Sequence, residues 1–362
     1  MQPNSQIPLM TRFSGDRLKE TLAKVSLQVA DHLSQMGLSQ EVVERLKECL
    51  VINTNGGNCL RGRTVLDTGW ILSGQDLSPC QIEDLLTLGC LIEFFNAAYL
   101  VWDDIMDNSC TRRGRPCWYR RQNVGLMAIN DACILKSSIF IILKERFRDH
   151  PAYVELLEIF NEAALRTELG QNYDLMASMK LMALDHFTRD TYQFITAHKT
   201  GYYTFYVPLA LAFLYLRLGT PAKLESVQQV SMLLGVVFQA RDDYLDVYGN
   251  EQITGKIGTD IQENKCSWLS VEAIRRCDKE QMKALENSYG SHHSNDIFKV
   301  RELFEQLKLV QAFEDWDRQM LNNINEEIEK AVVETGLQRE IFSEFLSKYF
   351  QDPRRCLPGP AV

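Results

Sequence analysis

Strand signals are what this 362-residue sequence most conspicuously lacks. Alternating apolar and polar runs are nearly absent, which excludes a sandwich, a barrel or a large sheet as the main architecture. No run of about 18 apolar residues escapes a charge or a break, so no stable membrane insertion is expected. The ten cysteines (49, 59, 80, 90, 110, 117, 133, 266, 277 and 356) form no CxxC pair and have no His-rich companion. Neither a zinc site nor a disulfide framework follows, and the usage fits a reducing compartment. The first eight residues, Met1 to Pro8, carry neither a charged leader with an apolar core nor an Arg-rich amphipathic pattern, so the cytoplasm is the expected location. Positive charge is also short: 39 Lys and Arg against 48 Asp and Glu, a net charge of -9. That argues against nucleic acid or an anionic membrane as the main partner, but not against an anionic substrate, because metal ions can supply the local positive charge.

What is present is helical periodicity, as in Leu18, Leu22, Val25, Val29 and Leu33. Turn residues fall at 53–57, Gly74, 108–116, 219–221, 249–258 and 290–295. The segments between them have helix length, which predicts an all-α fold of roughly ten or more helices. Segments 82–107 and 223–248 are apolar nearly all round and are expected to be central helices, the second opening near Pro221. A single domain over 1–352 is expected, with 1–10 flexible and the Pro/Gly-rich 353–362 a disordered tail.

Each of these two apolar segments runs into a DDxxD set: Asp103, Asp104 and Asp107, then Asp242, Asp243 and Asp246. Positions i and i+4 share a helix face, so like charges stack there, and burying them would cost several kcal/mol per group without a cation. One such set is usually a solvated acidic face; two, both embedded in apolar helices, point to divalent metal. All-oxygen ligands suit Mg²⁺ or Mn²⁺, which keep open positions for water and phosphate oxygens. Arg241 is the only cation within one turn upstream of either set.

Cations follow each set. Arg112 and Arg113 offer forked donors to phosphate, or make surface ion pairs. Lys199, beside Thr200 in an apolar segment, is either snorkelling or paired, and a diphosphate is one partner it can take. Lys256 lies among glycines that suit a loop closing over an anion, or a plain surface turn. Asn55 to Gly62 reads as a turn into a helix, where Arg61 can meet a further anion.

Together these residues resemble the trans-isoprenyl diphosphate synthases, and within them the animal farnesyl diphosphate synthases. The resemblance runs from about residue 50 to 350. It is carried by Leu100 to Gly114, Glu168 to Gln171, Asp242 to Asp246, Thr254 to Asp260 and Asn264 to Trp268. It implies the isoprenoid synthase fold, a bundle around a deep cavity, usually as a homodimer with three Mg²⁺ ions. On that likeness Asp103, Asp107 and Asp242 are metal ligands supported by Asp104, Asp243 and Asp246. Arg112, Lys199 and Lys256 hold an allylic diphosphate, while Thr200 and Gln239 flank the carbocation.

The departures centre on the isopentenyl diphosphate site, to which Arg61 and Arg113 belong. The family's Gly-Gly-Lys reads Gly56-Gly57-Asn58 here, its Gln is Asn96, and a Phe position is Ala98, next to Tyr99. The family's terminal Lys/Arg cluster is replaced by an extended Pro-rich tail. Asn96, Ala98, Tyr99 and Phe238 are expected to line the pocket. An intact ionising half beside a weakened co-substrate half favours a terpene synthase, a Mg²⁺-dependent lyase that cyclises or quenches the farnesyl cation to a sesquiterpene. The alternative is a prenyltransferase that joins isopentenyl diphosphate to an allylic diphosphate.

Overall fold

A computed structural model describes residues 9–249 and 258–350. The chain is all-α, as its periodicity predicts. The helices are α1 (Leu9–Gln35), α2 (Gln40–Thr54), α3 (Leu60–Leu72), α4 (Pro79–Met106), α5 (Met127–Phe147), α6 (Tyr153–Ser178) and α7 (Arg189–Ile195). After a π-helical stretch, Thr196–Tyr206, come α8 (Val207–Tyr215), α9 (Pro221–Tyr248), α10 (Trp268–Arg276), α11 (Lys279–Ser288), α12 (Ser294–Gln306), α13 (Leu309–Thr335) and α14 (Arg339–Phe350). Among the described residues the strands are β1 (Thr111–Arg112) and β2 (Arg115–Pro116), one small antiparallel hairpin. The tail expected over 353–362 lies outside the described residues.

Helix α4 shows how the sequence places the first acidic set. Ser78 accepts from the Gln81 backbone and Gln81 returns a bond to the Ser78 backbone, with Pro79 in the first turn. That capping box and proline fix the start. Asn108, in the left-handed region at φ 51°, helps turn the chain away at the end. Every residue from Leu85 to Tyr99 is buried, and each large apolar side chain so enclosed contributes roughly 1.5–3 kcal/mol. This helix is long and apolar enough to cross a membrane, yet 83% of the qualifying window is buried inside the protein. It is therefore a core helix.

Two compact units can be distinguished. The first comprises Met1–Asn161 and Val207–Leu224. Within it α4 packs against α3 and α5, and glycines set the α3–α4 distance. A Cβ on Gly89 would fall 2.6 Å from the Gly62 carbonyl oxygen, so neither glycine can carry a side chain.

The second unit comprises Glu162–Tyr206 and Glu225–Val362. Its core gathers Tyr192, Tyr244, Trp268, Leu285, Phe304 and Phe313. Tyr244 stacks on Phe313 at 4.5 Å, and Trp268 meets the same ring edge-on at 4.9 Å. The π-helical stretch lies backbone to backbone against both neighbours. A Cβ at Gly170 of α6 would collide with Lys199, and one at Gly235 of α9 would sit 2.6 Å from Gly201 Cα. Wide helical turns of this kind are rare and concentrate at functional positions.

Candidate active site

Asp103 and Asp104 occupy the last turn of α4, and Asp107 is its C-cap. Helix C-termini carry negative partial charge, so an acid there is disfavoured by about 0.3–1 kcal/mol. Three acids at that end gain nothing from the helix and need cations. Arg112 supplies one: its Nε donates to Asp104 Oδ1 at 2.9 Å, and one terminal nitrogen reaches Asp104 Oδ1 at 2.5 Å and Asp103 Oδ2 at 3.2 Å. Burial pushes the Asp104 carboxyl up, against the pull of Arg112. Burial and Asp104 together push the Cys117 thiol up to about 12.

The hairpin that carries Arg112 turns through Arg113 (φ 54°) and Gly114 (φ 71°). Two consecutive left-handed residues make the tight turn whose twist matches paired strands. Arg113 holds that conformation at a cost on the order of 1 kcal/mol. Its guanidinium donates to the Asn55 carbonyl at 2.7 Å. It also lies against Gly57, where a Cβ would come within 2.9 Å of it. Glu93 of α4, wholly buried, accepts from the Gly62 backbone at 2.9 Å and also from Arg61 N–H, capping the first turn of α3. Burial raises its carboxyl, while Arg61, those amides and Arg113 favour the charge. The sequence reading missed Glu93; an acid inside a fifteen-residue buried run was its one signal. Asn58 is exposed, and Asn96, Ala98 and Tyr99 are buried. The Tyr99 ring sits 4.5 Å from Phe95 and 5.1 Å from Trp102.

The second set follows the same placement, in the last two turns of α9. Asp243 accepts three bonds: Oδ1 from Gln239 at 2.9 Å, and Oδ2 from the Tyr192 hydroxyl at 2.8 Å and the Trp268 backbone at 2.9 Å. Burial raises this carboxyl against those three donors. Because a carboxylate only accepts, the Gln239 amide nitrogen faces Asp243 and its oxygen accepts from Thr200 at 3.3 Å. Asp246 Oδ1 accepts from the Asp260 backbone at 2.9 Å. Arg241 is not a counter-ion of this set. It forms a two-bond pair with Asp317 of α13, both at 2.8 Å, so its charge serves the fold.

Lys199, on the π-helical stretch, is paired: Nζ lies 2.8 Å from Asp174 Oδ2, and Lys265 Nζ reaches the same oxygen at 2.8 Å. Phe238 is buried edge-on to Phe205 at 5.2 Å. Asp174 and Tyr192 carry no signal in the sequence, and Lys265 and Trp268 stand there only within a family stretch, because what reveals the role of each is a distant partner. Lys256 lies outside the described residues. Among the described residues no group of three or more His, Cys, Asp or Glu is gathered closely enough to hold a metal by itself.

The sequence profile of the polyprenyl synthetase family matches residues 43–307. The farnesyl pyrophosphate synthase of Gallus gallus is 39% identical over 342 residues, 93% of this chain and 93% of that protein. That of Schizosaccharomyces pombe is 38% identical over 325 residues, 90% of this chain and 94% of its own. A T. brucei farnesyl diphosphate synthase solved with a bisphosphonate superposes with a TM-score of 0.88 at 30% identity, covering 95% of this chain and all of that one. The fold is thereby the isoprenoid synthase fold.

These relatives overturn the terpene synthase expectation. They are named as synthases of farnesyl diphosphate, not as lyases, and their likeness runs over most of the chain. The physical reason is that a single changed residue alters affinity more readily than the reaction. Losing one cation on a diphosphate removes about 1.5–3 kcal/mol, roughly a 10- to 150-fold change in affinity. That weakens binding without redirecting chemistry. The loop at 55–57 and Arg113 remain bound together, and Glu93 still caps the helix that carries Arg61.

Proposed function

The chain belongs to the polyprenyl synthetase family, and from that premise we propose that it is a prenyltransferase of the farnesyl diphosphate synthase type. It joins isopentenyl diphosphate head-to-tail to an allylic diphosphate and releases diphosphate. The observation that carries this reading is 36–39% identity to farnesyl pyrophosphate synthases over most of both chains.

Asp103, Asp107 and Asp242 are the proposed Mg²⁺ ligands, with three ions as the number the resemblance implies and Mn²⁺ an acceptable substitute. Hard oxygen donors at helix ends of negative polarity fit such ions. Bound Mg²⁺ would neutralise the charge on the departing diphosphate. Arg112, Lys199 and Lys256 take the allylic diphosphate, Arg112 by its planar fork and the lysines as point charges. As the allylic C–O bond breaks, the Thr200 hydroxyl and the Gln239 carbonyl oxygen offer fixed negative dipole ends to the cation. Asp243 acts one step back, holding Gln239 in the orientation that exposes its oxygen. Arg61 and Arg113 hold isopentenyl diphosphate, whose double bond attacks the cation before a proton is lost. With Asn58 in place of a lysine, that half-site binds more weakly than in relatives that keep the cation.

A homodimer belongs to the same proposal. Leu165, Leu169 and Tyr173 recur every four residues along α6 and are 55%, 41% and 39% exposed, an apolar stripe suited to a second copy.

Diphosphate release is the direct test. With Mg²⁺ and geranyl diphosphate, release should need isopentenyl diphosphate and should stop when the metal is chelated. Equal release without isopentenyl diphosphate would refute condensation.

A further inference from the structure

We propose that Cys110 and Cys117 form a reversible disulfide across the base of the hairpin that carries Arg112 and Arg113. The register pairs Thr111 with Pro116 and Arg112 with Arg115, so the next pair outward is Cys110 opposite Cys117. The Cys117 amide donates to the Cys110 carbonyl at 3.1 Å, one bond just beyond the paired strands. Directly opposed residues point to the same face with Cβ atoms about 4.5–5.5 Å apart. A disulfide needs about 3.5–4.5 Å, within a small closing movement. Both thiols are free. Tyr119 donates to the Ser109 carbonyl at 2.8 Å and so ties its ring to the same base.

The two cysteines divide the work of oxidation. Cys110 is exposed and accessible to a small oxidant, whereas Cys117 is buried at 1%. Cys59 and Cys90 also lie close enough to influence each other, but both are enclosed. Hydrogen peroxide is the oxidant proposed. The Cys110 sulfur attacks one peroxide oxygen, the O–O bond breaks, and a sulfenic acid and one water result. The Cys117 sulfur then attacks the Cys110 sulfur, the S–O bond breaks, and a second water leaves. Two electrons pass from the sulfurs to the peroxide, and the two thiol protons end in water. A dithiol reverses the bond, as expected of a sensor in a reducing compartment.

Closure acts on the site through Asp104. The buried Cys117 thiol lies under the influence of that carboxylate, which also holds Arg112. Drawing the sulfur towards Cys110 moves it from that carboxylate and locks the strand on which Arg112 rides. The bond stands independently of the catalytic proposal; its effect on turnover rests on that proposal.

The experiment treats the full-length protein with hydrogen peroxide and maps tryptic peptides without reduction. Trypsin cuts after Arg112 and Arg113, so only a disulfide keeps the Cys110 and Cys117 peptides together. The expected result is that linked peptide, lost on dithiothreitol treatment and absent from Cys110→Ser. Amide exchange over 108–117 should slow on oxidation. Prenyl transfer should fall about tenfold in the native protein, the size of one lost charge-assisted contact, and hold steady in Cys110→Ser. Cys110 oxidised to the sulfinic acid without a link, or Cys117 linked elsewhere, would overturn the disulfide. A formed link with unchanged exchange and unchanged turnover would overturn the clamp.

Discussion

Lys199 Nζ stands 2.8 Å from Asp174 Oδ2, a partner 25 residues earlier in the chain. Lys265 shares that oxygen, so two ammonium groups meet one buried carboxylate. Burial works against the Asp174 charge, but the two lysines outweigh it and hold the carboxyl well below the usual range. Asp174→Ala removes the buried carboxylate that both ammonium groups share and should destabilise the protein by about 3–5 kcal/mol. Urea unfolding measures it, and a loss under about 1 kcal/mol would contradict the pairing.

Glu272 gives a pH dependence with a definite sign. Burial opposes its charge, yet Arg275 at 2.9 and 2.6 Å and Arg276 at 2.6 Å lower its carboxyl to about 2. A depressed acid contributes stability above its unfolded value and loses it as pH falls through the folded one. Glu272→Gln should therefore cost about 1–3 kcal/mol at neutral pH. The gap should shrink below about pH 4 and close near pH 2. Urea midpoints of both proteins at pH 7 and pH 3 decide it; a gap that widens on acidification is incompatible.

Asn58→Lys restores a cation beside Arg61. The KM for isopentenyl diphosphate should fall roughly 10- to 100-fold, with kcat little changed, because one ground-state contact is gained. Steady-state kinetics would count against the proposed half-site if the KM for the allylic substrate moved instead.

Ala98 is fully enclosed in α4. Ala98→Phe adds a ring where the chain has room for a methyl, so the products should shorten and stability should drop by about 1–3 kcal/mol from overpacking. Product chromatography showing an unchanged or longer chain would remove Ala98 from the pocket wall.

The sequence made both acidic helices legible because DDxxD inside an apolar run conflicts with local preference. The expected segments 82–107 and 223–248 became Pro79–Met106 and Pro221–Tyr248, with boundaries marked by Ser78, Pro79 and Pro221. The pairing of Arg241 could not be read from the sequence, because its partner, Asp317, lies 76 positions away. The contacts of Asp243 with Tyr192, 51 positions away, and Trp268, 25 away, form only once α7 and α10 pack. The π-helical stretch is equally invisible in the sequence: His198-Lys199-Thr200-Gly201 reads as polar residues in an apolar segment, and the close approaches of Gly170 and Gly235 to it appear only in the fold. Departures such as Asn58 were visible but over-weighted, since one changed residue says little about the framework around it.

Label transfer tests the central claim most directly. Purified protein is given Mg²⁺, geranyl diphosphate and labelled isopentenyl diphosphate, and the products are separated by chain length. The account predicts label in farnesyl diphosphate or a longer homologue, formed only when both substrates are present. An unlabelled product pool, with a volatile sesquiterpene arising from farnesyl diphosphate alone, would contradict it.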